Sequence, residues 1–169
     1  FVFRAVNRLD RDTSGLVLLA KNPYSSCVLS DAVKDHTIHR EYAAIVSGKT
    51  DASGTIDLPI ARKDGSTIER VCDPERGETA VTHYRTFAYN KDADISFIRL
   101  LLETGRTHQI RVHMKAIGHP LPGDFLYCPD YRLIDRQPLH STFLSFFHPV
   151  TGEAVNLSAP LPEDMQRLF

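Results

Sequence analysis

Cysteine is scarce and poorly placed for structural work. Cys27, Cys72 and Cys128 are odd in number, widely spaced and include no C-x-x-C pair. That argues against a disulfide framework or a cysteine zinc site and fits a reducing compartment, the cytoplasm. No apolar run approaches the ~18 residues that a membrane helix needs, so no membrane partner is expected. Phe1-Val2-Phe3-Arg4 lacks the basic start and longer apolar run of a signal peptide. It also lacks a methionine and reads as a trimmed start. An excess of one charge is missing too. Twenty Lys and Arg stand against 21 Asp and Glu, a formal net charge of -1. This argues against coating nucleic acid by bulk charge and leaves room for a local basic groove. The phosphate-cradling G-x-x-x-x-G-K-[ST], the metalloprotease H-E-x-x-H and the hydrolase elbow G-x-S-x-G are all absent.

What remains is a chain with 42% hydrophobic and 24% charged residues, enough for one packed domain over 1–169, with no repeat, low-complexity segment or linker. Gly15 to Ala20 reads as a buried strand after a turn. Pro23 suits the first position of a helix striped by Val28, Leu29, Ala32 and Val33. Arg40 to Val46 is a strand ended by Ser47-Gly48. Residues 50 to 79 are polar and turn-rich, with short strands at Thr55 to Ile60 and Ser66 to Val71. Thr79 to Ala88 and Ile95 to Leu102 are longer strands about the turn Asn90-Lys91-Asp92. A helix follows from Thr107, with Ile110, Met114 and Ile117 on one face and Gly118 just past its end. Leu139 to Phe147 and Ala154 to Ala159 form a hairpin, and a short helix starts at Pro162. Strands outnumber helices and run in meanders. The expected class is α+β, with a mixed, largely antiparallel central sheet flanked by helices and loops.

Two stretches concentrate chemistry. In Asn7-Arg8-Leu9-Asp10-Arg11-Asp12-Thr13-Ser14-Gly15, a carboxylate sits among arginines at the mouth of a strand. A carboxylate beside Arg8 and Arg11 is favoured in its charged form. The plainer alternative is a surface ion-pair cluster of little energetic consequence. In ETGRTHQIRVH, Glu103 to His113, a loop opens a helix whose N-terminal N–H groups favour an anion. Arg106, Arg111 and Lys115 add cations there, with no acid from Thr104 to Pro122. Arg111 follows Ile110 directly, at the edge of the core, where an arginine requires a carboxylate partner. The alternative is a solvated helix face. His108, His113 and His119 lack the i, i+4 spacing of two ligands on one helical face, so capping and loop hydrogen bonds are expected in place of a metal. Tyr42 alone reads as core packing with a wet hydroxyl.

Together, NRLDRDTSGLVLLAKN, REYAAIVSG, ETGRTHQIRVHMKAIGHPLPGD and RQPLHSTFLSFFHPVTGE resemble RluA-type pseudouridine synthases, in that order, from about Arg4 to Ala159. The resemblance implies the pseudouridine synthase fold and the isomerisation of specific uridines in ribosomal or transfer RNA, with no metal and no organic cofactor. It implies that Asp10 is the essential aspartate, that Tyr42 packs on the uracil and takes the C5 proton, and that Arg111 pairs with the aspartate. Ile110 lines the base pocket, and Arg8 opens the RNA. Asn7, Arg106, His108 and Gln109 of the same motifs join the substrate-binding set. Asn7 stands where many relatives have histidine. The family's lysine-proline-glycine segment and S4-like RNA-binding domain are not found ahead of the aspartate motif, so 1–169 is expected to be a catalytic domain without them. Two other classes stay open at this stage. One is a catalytically silent RNA-binding module; the other is a metal-dependent phosphoesterase using the histidines and Asp124.

Overall fold

The computed structural model describes residue 2 and residues 4–169; Phe1 and Phe3 of the N-terminal stretch lie outside the described residues. The centre is a sheet in the order β11-β10-β4-β9-β8-β5. Its strands are β4 (His39–Ser47), β5 (Ser53–Asp57), β8 (Val81–Asn90), β9 (Ile95–Leu102), β10 (Leu139–Phe147) and β11 (Ala154–Ser158). Every pairing along this path is antiparallel. Strand β2 (Ser14–Gly15) makes the sheet mixed by pairing parallel to β10, with Ser14 opposite His140 and Gly15 opposite Ser141. The class expected from the sequence is the one observed.

Strand β4 shows why the sheet has two covered faces. Tyr42, Ala44 and Val46 point into one apolar cluster with Ile98, Leu100, Ile110 and Met114. Ile45 points the other way, toward Ile95, Ile134 and Met165. The two-residue period of a strand sorts them, and residues 42–46 are buried without interruption. Helix α2 (Gln109–Ala116) covers the first face. Helix α3 (Glu163–Gln166) lays Met165 on the second. Helix α1 (Pro23–Lys34) packs Leu29 with Ile38, Leu144 and Phe146 at the sheet's end. Its start follows the sequence signal: Pro23 is first, and Asn22 Oδ1 accepts the Ser25 N–H at 2.8 Å.

Three local expectations change. The apolar run from Gly15 to Ala20 is not one buried strand: Val17 and Leu19 are exposed. The chain leaves β10 after Leu16, whose N–H bonds Ser141 O, and pairs again only as β3 (Leu19–Ala20) with β1 (Arg4–Ala5). Leu16 and Leu18 still reach the cluster around Leu29, so the hydrophobic pattern is satisfied without a continuous strand. The strand placed at Thr55 to Ile60 divides at Leu58-Pro59 into β5 and β6 (Ile60–Arg62), since proline cannot continue a ladder. β6 pairs with β7 (Arg70–Cys72) in a separate two-stranded ribbon, while Ser66 Oγ closes a turn on the N–H groups of Ile68 and Glu69. Helix α2 starts at Gln109 instead of Thr107, because His108 precedes it in the left-handed region at φ 58.

Candidate active site

Asp10 lies on the loop between β1 and β2. Thr13 N–H bonds back to Asp10 O at 3.1 Å, and Asp12 takes a left-handed φ of 69 to close the turn. The segment before β10 fastens this turn from outside. Gln137 Nε2 donates to Arg11 O and to Thr13 Oγ1, and Arg136 Nη1 donates to Asp12 O. Gly15 then lets the chain meet β10 at close range. A Cβ there would stand 2.3 Å from Ser141 O. Asp10 is thus held by a tight turn fastened by Arg136 and Gln137 and joined through β2 to the central sheet.

The neighbouring arginines do not hold the Asp10 carboxylate, contrary to the expectation from the sequence. Arg11 donates to Asp12 and lies over the Phe125 ring, and Arg8 is exposed at the cleft rim. The partner comes from 101 residues away: Arg111 Nη1 donates to Asp10 Oδ2 at 3.1 Å. Arg111 is 1% exposed. Its other edge makes a two-point contact with Asp124, Nε to Oδ2 at 2.6 Å and Nη2 to Oδ1 at 2.8 Å. The N–H groups of Leu126 and Tyr127 donate to Asp124 Oδ1 as well. Burial opposes the arginine's charge, but the hydrogen bonds and charges of Asp124 and then Asp10 outweigh it, and the Arg111 pKa lies above its ordinary value. The result is a guanidinium fixed by a buried carboxylate that offers one free edge to Asp10.

His108 stands on the other side of Asp10, with Nε2 4.0 Å from Oδ2. Tyr127 Oη accepts the Arg70 N–H at 2.9 Å and lies 2.8 Å from His108 Nδ1. Burial pushes the Tyr127 hydroxyl up to about 12, so it stays a donor. This network assigns the proton of a neutral His108 to Nε2, facing Asp10. Burial, foremost, lowers the His108 pKa and favours that neutral form, with Asp10 opposing.

Across the cleft Tyr42 is 6% exposed. Burial raises its hydroxyl above the ordinary tyrosine value; Arg40 opposes this and Asp10 adds to it. Ile110, Leu102 and Leu139 supply apolar walls to a cleft with about 470 Å³ of empty space, which Arg8, Arg106, His108 and Arg111 also line. One side is therefore apolar and aromatic and the other carries the carboxylate, the form of a small-ligand site.

Asn7 is absent from this cleft. Its Oδ1 accepts the Leu18 N–H at 2.7 Å and ties the aspartate loop to the segment just before β3, away from the cleft. Gln109 reaches the cleft wall, yet its amide is saturated internally. Nε2 donates to Val81 O and Thr82 Oγ1, and Oε1 accepts from Thr104 Oγ1 and Arg106 N–H. Arg106 lines the rim with its guanidinium turned to Thr79 O and Glu78. The three helix-region histidines diverge, His108 to Tyr127, His113 to Thr82 and Leu58 O, and His119 to Ser47 O. Asp124, which the phosphoesterase reading grouped with them, lies under Arg111. Among the described residues no three His, Cys, Asp or Glu side chains are grouped to hold a metal ion.

Sequence reasoning missed Asp124 as the anchor of Arg111, and Tyr127 as the partner of His108. A signal for the first existed. Asp124 is the first acid after a stretch of cations and follows Gly123. Tyr127 carried none, because its link to His108 depends on how the loop after Asp124 folds back.

Known proteins resemble this chain over nearly its whole length. The family model described as RNA pseudouridylate synthase matches residues 1–116. The uncharacterized RNA pseudouridine synthase YjbO of Bacillus subtilis is 50% identical over 165 residues, which cover 97% of this chain and 57% of that protein. Ribosomal large subunit pseudouridine synthase D of Escherichia coli is 40% identical over 178 residues, 97% of this chain and 54% of that one. The chain spans little more than half the length of these curated relatives. Among solved structures, human RNA pseudouridylate synthase domain containing 1 superposes with a TM-score of 0.82 at 27% identity, over 94% of this chain and 69% of that one. With the match of the family model over most of its length and this agreement in fold, the chain belongs to the RNA pseudouridylate synthase family.

Proposed function

We propose that this chain converts uridine to pseudouridine within RNA, with Asp10 as the catalytic carboxylate. The observation that carries the reading is the Asp10–Arg111–Asp124 arrangement opening on Tyr42 and Ile110 in one cleft. The reaction is an isomerisation. The N1–C1′ bond breaks, the uracil turns, a C5–C1′ bond forms, C5 loses its proton and N1 gains one. Nothing is oxidised or reduced, so no cofactor is called for.

Asp10 acts at the sugar, by attack on C1′ or by removal of the C2′ proton; either needs a fixed carboxylate with one accessible edge. Arg111 supplies the fixing. The uracil must leave its stack to reach Asp10, and the Tyr42 ring with Ile110 forms the surface that receives it. The Tyr42 hydroxyl is a neutral phenol at neutral pH. Taking the C5 proton therefore requires the hydroxyl to pass its own proton on, and the balance of the isomerisation returns one proton to N1. The His108 Nε2–H faces the same carboxylate. Arg8, exposed at the rim, meets the RNA around the target.

The relatives' names support ribosomal RNA as substrate, with transfer RNA the other candidate. A cytoplasmic location fits such a substrate and three free cysteines. No helix among the described residues is long and apolar enough to cross a membrane. Unmodified ribosomal and transfer RNA transcripts, incubated with the chain and digested to nucleosides, test the reading. Pseudouridine is expected from at least one of them; RNA binding without any pseudouridine would leave a binding module instead.

A further inference from the structure

Four arginines line the cleft, and their partners differ. Arg111 is held by two aspartates, and Arg106 by Glu78 and Thr79 O. Arg8 is exposed. Arg40 is half-buried, and among the described residues no carboxylate pairs with it. It stands two residues before Tyr42 on β4 and so shares the cleft face of that strand. A half-buried guanidinium without an anion is costly to maintain, which makes its position informative.

Two further observations bear on it. Gly105 packs against its tip: a Cβ built there would lie 3.1 Å from Arg40 Nη2. Gly105 is not among the glycines with positive φ, so the missing side chain provides space, and the guanidinium lies over bare backbone. Arg40 also borders a second cavity, with about 670 Å³ of empty space, between the end of α1 and the 104–106 turn. Its lining includes Lys34, His36, Arg40 and Arg106 and no acid. Lys34 is bridged to Asp31 and Arg106 to Glu78, which leaves Arg40 as the uncommitted guanidinium between the two cavities.

We propose that Arg40 is a phosphodiester-binding residue, which grips the RNA backbone beside the target nucleotide and leads the strand into the Lys34–Arg106 cavity. The inference rests on the RNA reading above. It adds where the strand runs and which side chain sets its register. With the base against Tyr42, the attached backbone stays at the cleft mouth, where Arg40 stands. The planar fork of arginine matches two phosphate oxygens, and contacts of this kind position a nucleic acid without reading its sequence. An arginine also binds free phosphate, so the test separates the two sources.

The experiment measures binding of a single-stranded oligouridylate and of unmodified ribosomal and transfer RNA transcripts against salt concentration. Wild type, Arg40→Ala, Arg40→Lys and the distant-element control Arg167→Ala are compared, with circular dichroism to verify folding. Arg40→Ala is expected to weaken binding about tenfold. It should also reduce the slope of log affinity on log salt by roughly 0.7 to 0.9, one phosphate contact. Arg40→Lys should keep the slope and lose part of the affinity, and Arg167→Ala should match wild type. On the transcript that reacts, Arg40→Ala should raise KM and leave kcat within about threefold, the sign of lost ground-state binding. An unchanged slope in Arg40→Ala, or Arg40→Lys losing the slope equally, overturns the proposal. So does Arg40-dependent binding of inorganic phosphate with RNA affinity and salt slope unchanged in Arg40→Ala, which would assign the site to free phosphate. An Arg40-dependent slope with no pseudouridine formed would retire the isomerase reading and leave the phosphate contact standing.

Discussion

Asp10 and Asp124 share one arginine and are expected to answer differently to substitution. The Asp10 side chain is 17% exposed, at the edge of a cleft, and Asp124 is fully buried. Removing the Asp10 charge leaves Arg111 still paired, so Asp10→Asn should unfold at a urea midpoint close to wild type. Arg111→Met strands the buried Asp124 and should cost about 3–5 kcal/mol in the same titration. The double variant Arg111→Met/Asp124→Asn removes the stranded charge and keeps an oxygen for the Leu126 and Tyr127 N–H groups, so it should recover much of that loss and none of the turnover; if it stays as unstable as the single variant, the buried charge is not the source. Tyr42→Phe should bind RNA as wild type does and slow turnover by about 100-fold, if the hydroxyl relays a proton. An unchanged rate would leave the ring as a packing surface alone. At this scale the resemblance to a known family named Asp10, Tyr42 and Arg111, and the structure brings these three to one cleft. The sequence misled where a partner was chosen by proximity along the chain. Arg8 and Arg11 adjoin Asp10 in sequence, yet Arg11 pairs with Asp12, Arg8 stays exposed at the rim, and Arg111 arrives from helix α2.

Among elements, the aspartate loop depends on how closely β2 meets β10. Gly15 combines a φ of 111 with a Cβ position 2.3 Å from Ser141 O, and both features disfavour any side chain. Gly15→Ala should destabilise by about 1–3 kcal/mol. Because the same strand positions Asp10, it should also lower kcat on whatever fraction remains folded; a variant with wild-type stability and rate would show that the approach is dispensable. This close approach is also why the apolar run 16–20 was misread. Its hydrophobic residues were recognised, but a two-residue parallel strand followed by a departure from the sheet leaves no periodic signal. Strands β4, β9 and β10 were legible because each is long and bounded by turn residues. Helix α1 was legible because Asn22-Pro23 states its first turn. The β6–β7 ribbon was blurred because its strands are three residues each, too short for a period to register.

For the whole molecule, buried histidines set a pH dependence. Burial is the leading cause that depresses His108, His113 and His140 below the ordinary 6.5. His113 is wholly buried, with Nε2–H donating to Leu58 O and Nδ1 accepting from Thr82. A base depressed in the folded state takes up protons more readily once unfolded, so stability is complete above about 6.5 and falls as pH drops below it. Each such group contributes at most about 1.4 kcal/mol per pH unit across the window between its two values. Urea titrations from neutral pH to about pH 5 should show this slope, and His113→Gln should flatten it; a stability that rises on acidification would contradict the burial argument. The overall class was readable from the excess of strands and their meander. The placement of α2 and α3 on opposite faces was not, since β4 is buried on both sides and its sequence gives no sign of which face receives which helix.

The central claim, that Asp10 held by Arg111 isomerises uridine, is tested most directly by tritium release from RNA carrying 5-tritiated uridine, measured for the chain and its Asp10→Asn variant. Release by the chain from a ribosomal or transfer RNA transcript, reduced to background in a folded Asp10→Asn protein, is the result predicted. Equal release by the two proteins would contradict it.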